Sequence, residues 1–386
     1  MVRRCPICNT SEGKLLKHMK MEIPESVHLP KSYDIAACDK CGFTYAKLNG
    51  VTQENYNEYY SKNNDYSDEK LRTNLNNELN LARVNLIQKY ISTDDKILDI
   101  GCGNGDFLVE LKKSNYKNLQ GIDPSADSVE AVKRRGINAQ TGNIFDEGPE
   151  NEKYDLICCT AVLEHIYDLN GCIEKLKGRL KGVGSRIFVD VPGMEGINEY
   201  ITVPAEHFNC EHINYFTFQS LDNLFIANGF KRVSKQEDYY IFLKEKSVPI
   251  LDIGAIYEMD EASTKVIEKD TKTAETILQY FSTVEKKILS QNESLGNILE
   301  KEDKVVVWGG GNYAFQMLSS VPEIREKINF FVDSNQNKVG RKIAGKEIKS
   351  IDAIPDDGTL VIVCSMNYSK EMAEKCEQQG IRYYIY

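Results

Sequence analysis

Two kinds of residue spacing in this sequence point to chemistry. The first is Asp99-Ile100-Gly101-Cys102-Gly103-Asn104-Gly105, an apolar run that ends in an acid and opens into glycines at alternate positions. Glycines there let the chain turn sharply and let a ligand approach the backbone. Asp123 ends the next apolar run and can accept both hydroxyls of a ribose, as in dinucleotide-binding turns. Asn143-Ile144-Phe145 follows the third strand region, where a base edge would be read and Ile144 or Phe145 would pack on the base. The second is Cys5-Pro6-Ile7-Cys8 with Cys38-Asp39-Lys40-Cys41. Each pair grips one ion from a tight turn, and four thiolates complete a tetrahedron. Such a closed site has no position for water. Structural zinc is therefore expected on Cys5, Cys8, Cys38 and Cys41, with redox dithiols as the rival.

The acid before the glycines narrows the ligand. S-adenosylmethionine (SAM) has no pyrophosphate but carries an ammonium group, which Asp99 suits. Asp99, Gly101, Gly103, Gly105, Asp123, Asn143 and Ile144 are the expected cofactor residues. NAD is the alternative for a turn of this kind. The later segment Ala161-Val162-Leu163-Glu164-His165 favours SAM, with His165 in the scaffold or on the cofactor rim.

A candidate acceptor loop runs from Pro204 to Phe216, beyond the apolar run ending Asp190-Val191-Pro192. Open α/β sheets place ligands past the carboxyl ends of their strands. Methyl transfer needs an acceptor deprotonated and aligned with the sulfonium. Histidine suits that work because it titrates near neutrality. His212 is the catalytic candidate and Glu211 its partner, to orient an imidazole or hold a sugar hydroxyl. His207 and Tyr215 are candidate acceptor contacts, and Tyr66 belongs to a tyrosine-rich stretch that could form a lid.

Near the other end, Gly309-Gly310-Gly311-Asn312-Tyr313-Ala314 fits G-x-G-x-x-A, with Asp333 some 20 residues on. Taken alone this is a dinucleotide fingerprint, and a fused NAD-dependent activity is one reading. The unit is short for that, and the alternative is one nucleotide diphosphate at a helix N-terminus. Gly309, Gly311, Asn312 and Asp333 are the candidate contacts, with Lys338, Arg341 and Lys342 nearby to offset phosphate charge.

These residues need elements to position them. Lys96–Ile100, Leu119–Asp123, Tyr154–Cys158 and Ser185–Asp190 read as strands alternating with helical stretches, which implies βαβ units around a mostly parallel sheet. Phe230–Val233 and Tyr239–Leu243 read as a closing antiparallel pair. A helical pattern over about 67–92 precedes this sheet, and a charged helical pattern over 261–300 follows it. Lys304–Trp308, Ile328–Asp333 and Leu360–Cys364 are the strands of a second α/β unit.

Bulk composition sets outer limits. The 386 residues allow two or three domains, and a hydrophobic content of 41% with 27% charged is ordinary for a globular chain. A formal charge of −10 argues against a nucleic-acid surface, which needs clustered Lys and Arg. No apolar run is long enough to span a bilayer, and no cleavable signal is evident at the start. The 11 cysteines, an odd count, fit a reducing cytoplasm. A monomer is expected.

Taken in order, these features resemble two families. From Leu98 to Leu243 the layout is similar to class I SAM methyltransferases. Over nearly the full chain it resembles the sugar C-methyltransferases of deoxysugar and surface-polysaccharide pathways. The matching stretches are the two CxxC pairs, Asp99 to Gly105, Glu211-His212 with Tyr215-Phe216, Trp308 to Leu318, Asp333 to Gly340 and Cys364 to Tyr368.

The resemblance implies an α/β chain with a class I methyltransferase (Rossmann-like) core. A zinc-binding lobe (1–66) precedes it, the core itself spans 67–247, and a helical connector (248–300) leads to a C-terminal Rossmann-like substrate domain (301–386). It implies a nucleotide-linked keto sugar as substrate, methylated on the carbon beside the keto group, with His212 removing the α-proton and Glu211 contacting the sugar. Cys210 stands where that family usually has His. Gly310 and Asn312 stand where it often has a small residue and Lys. An imidazole base acting on carbon needs the enolate stabilised by on the order of several kcal/mol of placed hydrogen bonds. Methylation of oxygen or nitrogen needs less and is the runner-up. A SAM-binding scaffold without turnover is the third reading.

Overall fold

The structure is a computed structural model that describes residues 2–21, 23, 28–62, 74–146, 152–199, 206–234, 252–260, 266–365 and 368–386. Tyr66 and the run Tyr239–Leu243 lie outside the described residues. The chain divides into two units. One comprises Met1–Leu16, Asp34–Ile197 and Glu211–Glu275, and the other Lys17–Tyr33, Asn198–Cys210 and Thr276–Tyr386.

The chain begins with β1 (Gly13–Lys20), β2 (Ser32–Cys38), β3 (Thr44–Lys47), α1 (Gln53–Lys62) and α2 (Asn74–Ile87). It continues through β4 (Lys96–Ile100), α3 (Asp106–Lys113), β5 (Asn118–Asp123), α4 (Ala126–Arg134), β6 (Asn138–Thr141), β7 (Leu156–Thr160), α5 (Leu169–Arg179) and β8 (Arg186–Pro192). Then come β9 (Asn214–Tyr215), α6 (Phe218–Ala227), β10 (Phe230–Arg232) and β11 (Asp252–Met259). The central sheet has the order β10-β11-β8-β7-β4-β5-β6. Its strands run parallel except β11, which is antiparallel to both β8 and β10. The middle strands are buried on both faces, as parallel sheets require. Ile97 and Leu98 of β4 and Leu156 to Cys159 of β7 are all fully buried. Truncating one such side chain, as in Leu98→Ala, costs about 2–5 kcal/mol.

Strand β11 corrects the expected connector. A connector helical over 248–300 is not what forms, because Asp252–Met259 is a strand in register with β8. The run Ile253-Gly254-Ala255-Ile256-Tyr257 is buried throughout, so its short apolar pattern is a sheet signal. Strand β10 takes β11 as its partner. Helix content resumes with α7 (Thr273–Leu299).

The N-terminal lobe also differs from a free-standing module. Strands β1-β2-β3-β9 form one four-stranded sheet, and β9 comes from the Glu-His loop. Cys5, Ile7, Phe43 and Tyr45 share a single buried cluster with Ile100, Val189 and Phe216. A segment this short cannot bury a core alone, so it borrows the larger one.

The second unit holds β12 (Val305–Trp308), α8 (Asn312–Ser320), α9 (Ile324–Lys327), β13 (Ile328–Asp333), β14 (Lys342–Ile343), β15 (Lys346–Ser350), β16 (Leu360–Val363), α10 (Ser369–Gln379) and β17 (Tyr383–Ile385). Its sheet order is β14-β15-β13-β12-β16-β17. Strand β12 is flanked by β13 and β16, both parallel to it, so the connections diverge at its carboxyl end. That is where an open α/β sheet forms its ligand crevice. No helix among the described residues is long and apolar enough to cross a membrane.

Candidate functional site

The glycine loop stands at the carboxyl end of β4, between the strand and α3. Gly101 adopts φ +68° and accommodates no side chain, because a Cβ there would lie 2.7 Å from Val162 Cγ2. The loop after β4 and the loop after β7 therefore touch at this point. Asp123, at the end of β5, braces the turn. Its Oδ2 accepts from the Gly103 amide at 2.8 Å and its Oδ1 from the Ser125 amide at 2.9 Å. Each carboxylate oxygen keeps a further lone pair for a ribose hydroxyl.

Asp99 is 1% exposed, and neither of its carboxylate oxygens has a hydrogen-bond partner among the described residues. Burial pushes its carboxyl up to about 8, with the Arg83 guanidinium opposing and the Asp123 charge adding. A buried acid without a partner fits a ligand that brings its own cation, as the SAM ammonium would. At the third strand, the Asn143 side chain accepts from the Phe145 amide at 2.8 Å and donates to Asp146 at 3.0 Å. Ile144 is turned into the core, which leaves the part-buried Phe145 as the apolar surface for a base.

Arg83 on α2 is a residue that no motif announces. Its Nε and one Nη donate to the two Asp190 carboxylate oxygens at 3.0 and 2.9 Å, and the other Nη donates to Asn80 at 2.9 Å. This buried fork ties α2 to the end of β8. Ala161, at the end of β7, is held at φ +54° while its amide donates to the Asp190 carbonyl at 2.8 Å. A non-glycine residue there stores on the order of 1 kcal/mol, a form of strain that clusters at working sites.

The Glu-His loop is sewn to the turn after β7. The Ile213 amide donates to the Glu164 carbonyl at 2.8 Å, and the Asn214 side chain donates to the Leu163 and Ile166 carbonyls, both at 2.7 Å. Arg3 fastens the same seam from the lobe. Its guanidinium donates to Ile213 O (2.9 Å), Tyr167 O (2.7 Å) and Asn214 Oδ1 (2.8 Å). Burial lowers Arg3 to about 10, which still leaves it charged at neutral pH.

The outcome is that His165 and His212 meet, with ring centroids 4.9 Å apart. The His165 Nδ1 lies 2.7 Å from the Tyr60 hydroxyl and 3.0 Å from the Glu211 carbonyl oxygen. Burial lowers His165 to about 4, and burial pushes Glu164 well above the usual carboxylate range.

Other expected residues fall elsewhere. Tyr215 is buried and pairs with Thr44 of β3. His207 belongs to the second unit, where burial lowers it to about 4 and its Nδ1 has no partner among the described residues. His212 and Glu211 belong to the first unit. Tyr66 lies outside the described residues, while Tyr60, from the same tyrosine-rich stretch, reaches His165.

The four lobe cysteines converge. Cys5 Sγ lies 3.6 Å from Cys41 Sγ, and Cys8 Sγ lies 3.4 Å from Cys38 Sγ. All four sulfurs sit within 4.8 Å of one another, a set able to hold a metal ion. Hydrogen bonds from Cys41, Cys5 and Cys8 hold the Cys38 thiol far below its ordinary range. Thiols that stabilise a thiolate among themselves are the donor set a soft cation selects.

Comparison with known proteins follows the same division. Residues 69–235 match the methyltransferase-domain family, and residues 300–385 match the CoA-binding-domain family. The first stretch is a class I SAM-dependent methyltransferase domain. Its curated relatives include a tRNA U34 carboxymethyltransferase of Nautilia profundicola, 26% identical over 42% of this chain and 56% of that protein. A mitochondrial ubiquinone biosynthesis O-methyltransferase of Candida albicans is 29% identical over 30% of this chain and 37% of its own length. The chain spans about half the length of the first of these. Among solved structures, the PH0226 protein of Pyrococcus horikoshii aligns with a TM-score of 0.41 at 16% identity, covering 53% of this chain and 99% of that one.

The methyltransferase domain has a testable acid. In the ligand-free chain Asp99 is mostly protonated at pH 7, because burial raises it to about 8. A cationic ligand favours the carboxylate, so SAM binding should release a proton at pH values below that point. Affinity should then climb between about pH 6 and about pH 8 by up to roughly tenfold per unit, and level off above. Calorimetry in two buffers of different ionisation enthalpy measures the released proton. A flat affinity across this window would separate Asp99 from the ligand.

The second unit carries a comparable loop. Gly309 at φ +118° leaves no room for a Cβ, which would sit 2.3 Å from the Cys364 carbonyl oxygen. Asp333 Oδ2 accepts from the Gly310 amide at 2.9 Å and pairs with Lys338 Nζ at 3.4 Å. Gly311 caps α8 without a side chain, and Asn312 follows it, exposed. Asn312 lines a groove with Lys17, Phe281, Tyr313 and Gln316, whereas Gly309 and Asp333 do not.

Proposed function

We propose that the chain transfers the SAM methyl group to a nucleotide-linked keto sugar, on the carbon beside the keto group. In this reading His212 activates the acceptor and Glu211 contacts it. The C-terminal unit holds the nucleotide diphosphate through Gly309, Gly311 and Asn312. The four-cysteine lobe carries structural zinc.

One observation carries the reading. The Glu211-His212 segment is hydrogen-bonded to the Glu164-His165 turn at the carboxyl end of β7, and that loop touches the glycine loop through Val162 and Gly101. The Glu211-His212 segment and the glycine loop thus share one edge of the sheet, which supports acceptor and methyl donor meeting there. The resemblance to sugar C-methyltransferases supplies the substrate class, and the match of residues 300–385 to a CoA-binding domain supports nucleotide recognition there. Some relatives are named for tRNA chemistry. A chain with a formal charge of −10 is a poor match for a polyanionic acceptor.

The test is incubation with SAM and a panel of nucleotide sugars, read by mass spectrometry for methyl gain. Deuterium placed beside the keto group should be lost in step with methylation. Methylated product that keeps all its deuterium would move the reaction to oxygen or nitrogen. His212→Asn should lower kcat by about 10²–10⁴-fold while SAM affinity stays near that of the parent. Unchanged turnover in that variant would remove His212 from acceptor activation.

A further inference from the structure

The four thiols are not the only metal-type donor set in the first unit. Glu164, His165 and His212 each offer a ligand atom, and these atoms lie within 4.8 Å of one another. His165 Nε2 and Glu164 Oε1 are 3.7 Å apart. Three donors bonded to one ion at about 2.1 Å would stand about 3 Å apart, so small rotamer adjustments close the set. We propose that Glu164, His165 and His212 bind a second divalent cation, which holds an oxygen of the acceptor beside the methyl donor.

Several features of the site support this beyond mere proximity. Glu164 is 2% exposed, and its Oε2 has no hydrogen-bond partner among the described residues. A buried carboxylate oxygen in that state is costly unless something charged meets it. The His165 ring is oriented as metal-binding imidazoles are: Nδ1 faces the Glu211 carbonyl at 3.0 Å and the Tyr60 hydroxyl at 2.7 Å. A proton on Nδ1 donated to that carbonyl leaves the Nε2 lone pair facing Glu164 and His212. The backbone that carries the donors is fixed by the Ile213-to-Glu164 and Asn214-to-Leu163 hydrogen bonds.

Ligand chemistry separates this set from the lobe. Two imidazoles and one carboxylate suit Mn, Fe, Co or Zn, and three protein ligands leave positions open for other oxygens. Four thiolates form a closed set that disfavours Mn2+. The inference deepens the role proposed for His212: with His212 as ligand, the ion polarises a keto or hydroxyl oxygen, and a hydroxide at one of its open positions takes the acceptor's proton and leaves as water. It also supplies the charge stabilisation that a bare imidazole base lacks.

Manganese is the probe, titrated into the full-length chain after chelation and dialysis and followed by calorimetry and by the electron paramagnetic resonance of free Mn2+. One saturable equivalent is expected. Glu164→Gln and, separately, His212→Asn should weaken it by about 10–100-fold, with SAM binding checked in parallel to show that each variant is folded. If Glu164→Gln fails to fold, His212→Asn on the loop carries the test. Absence of saturable Mn2+ binding up to about 1 mM, or binding that both variants leave intact, overturns the inference. A chain that methylates a sugar but binds no Mn2+ loses the cation and keeps the proposed function. One that binds Mn2+ at these residues but methylates no sugar does the reverse.

Discussion

Cys38→Ser is expected to strip the protein of one zinc per chain and to destabilise the methyltransferase domain by more than about 4 kcal/mol, the range reached when a structural metal is lost. Cys38 Sγ lies 3.4 Å from Cys8 Sγ within the four-sulfur cluster, so its loss leaves three donors where four converge. A serine hydroxyl would not ionise there. The damage should spread, because β2 pairs with β3 and β3 pairs with β9 of the Glu-His loop. Arg3, two residues from Cys5, holds the Ile213 carbonyl in the same seam. Methyl transfer should therefore fall even though the lobe lies outside the residues that match the methyltransferase family. Metal analysis of the purified variant together with its thermal midpoint checks the prediction. Stoichiometric zinc retained by Cys38→Ser would refute the four-thiolate assignment.

Asp123→Ala should weaken SAM binding by about 10²–10³-fold. Hydrogen bonds to a charged group are worth about 1.5–3 kcal/mol each, and two ribose hydroxyls lose their acceptor together. The variant also releases the Gly103 and Ser125 amides, which both end on this carboxylate. Gly103 sits in the glycine loop itself, so the turn loosens when this carboxylate is removed. Asp123→Asn keeps one acceptor oxygen and should cost less than Asp123→Ala. Equilibrium binding of SAM measures both. A loss of less than about fivefold in Asp123→Ala would place the ribose elsewhere.

Much of this was legible from local spacing. An acid, three alternating glycines and a second acid at the next strand end describe a turn and the ligand it can meet, and the two CxxC pairs describe a tetrahedron. Each is encoded within a few consecutive residues, where backbone geometry dictates residue type. Strands β4, β5, β7, β8, β12, β13 and β16 were legible for the same reason, as short apolar runs. Strand β11 was not, because Gly254 and Ala255 dilute its apolar run and its burial comes from pairing with β8.

What tertiary structure decided is who meets whom across long stretches of chain. Arg83 reaches Asp190 across 107 positions and Arg3 reaches Ile213 across 210. Both are single arginines without a motif, and burial alone turned them into fixed struts. The His165 ring meets His212 from a distant loop, with the Tyr60 hydroxyl on its Nδ1. Sequence chemistry pointed to the glycine loop at Asp99–Gly105 and to four cysteines that converge. Only folding could bring Glu164, His165 and His212 together, because side-chain convergence depends on long-range packing and leaves no spacing to read.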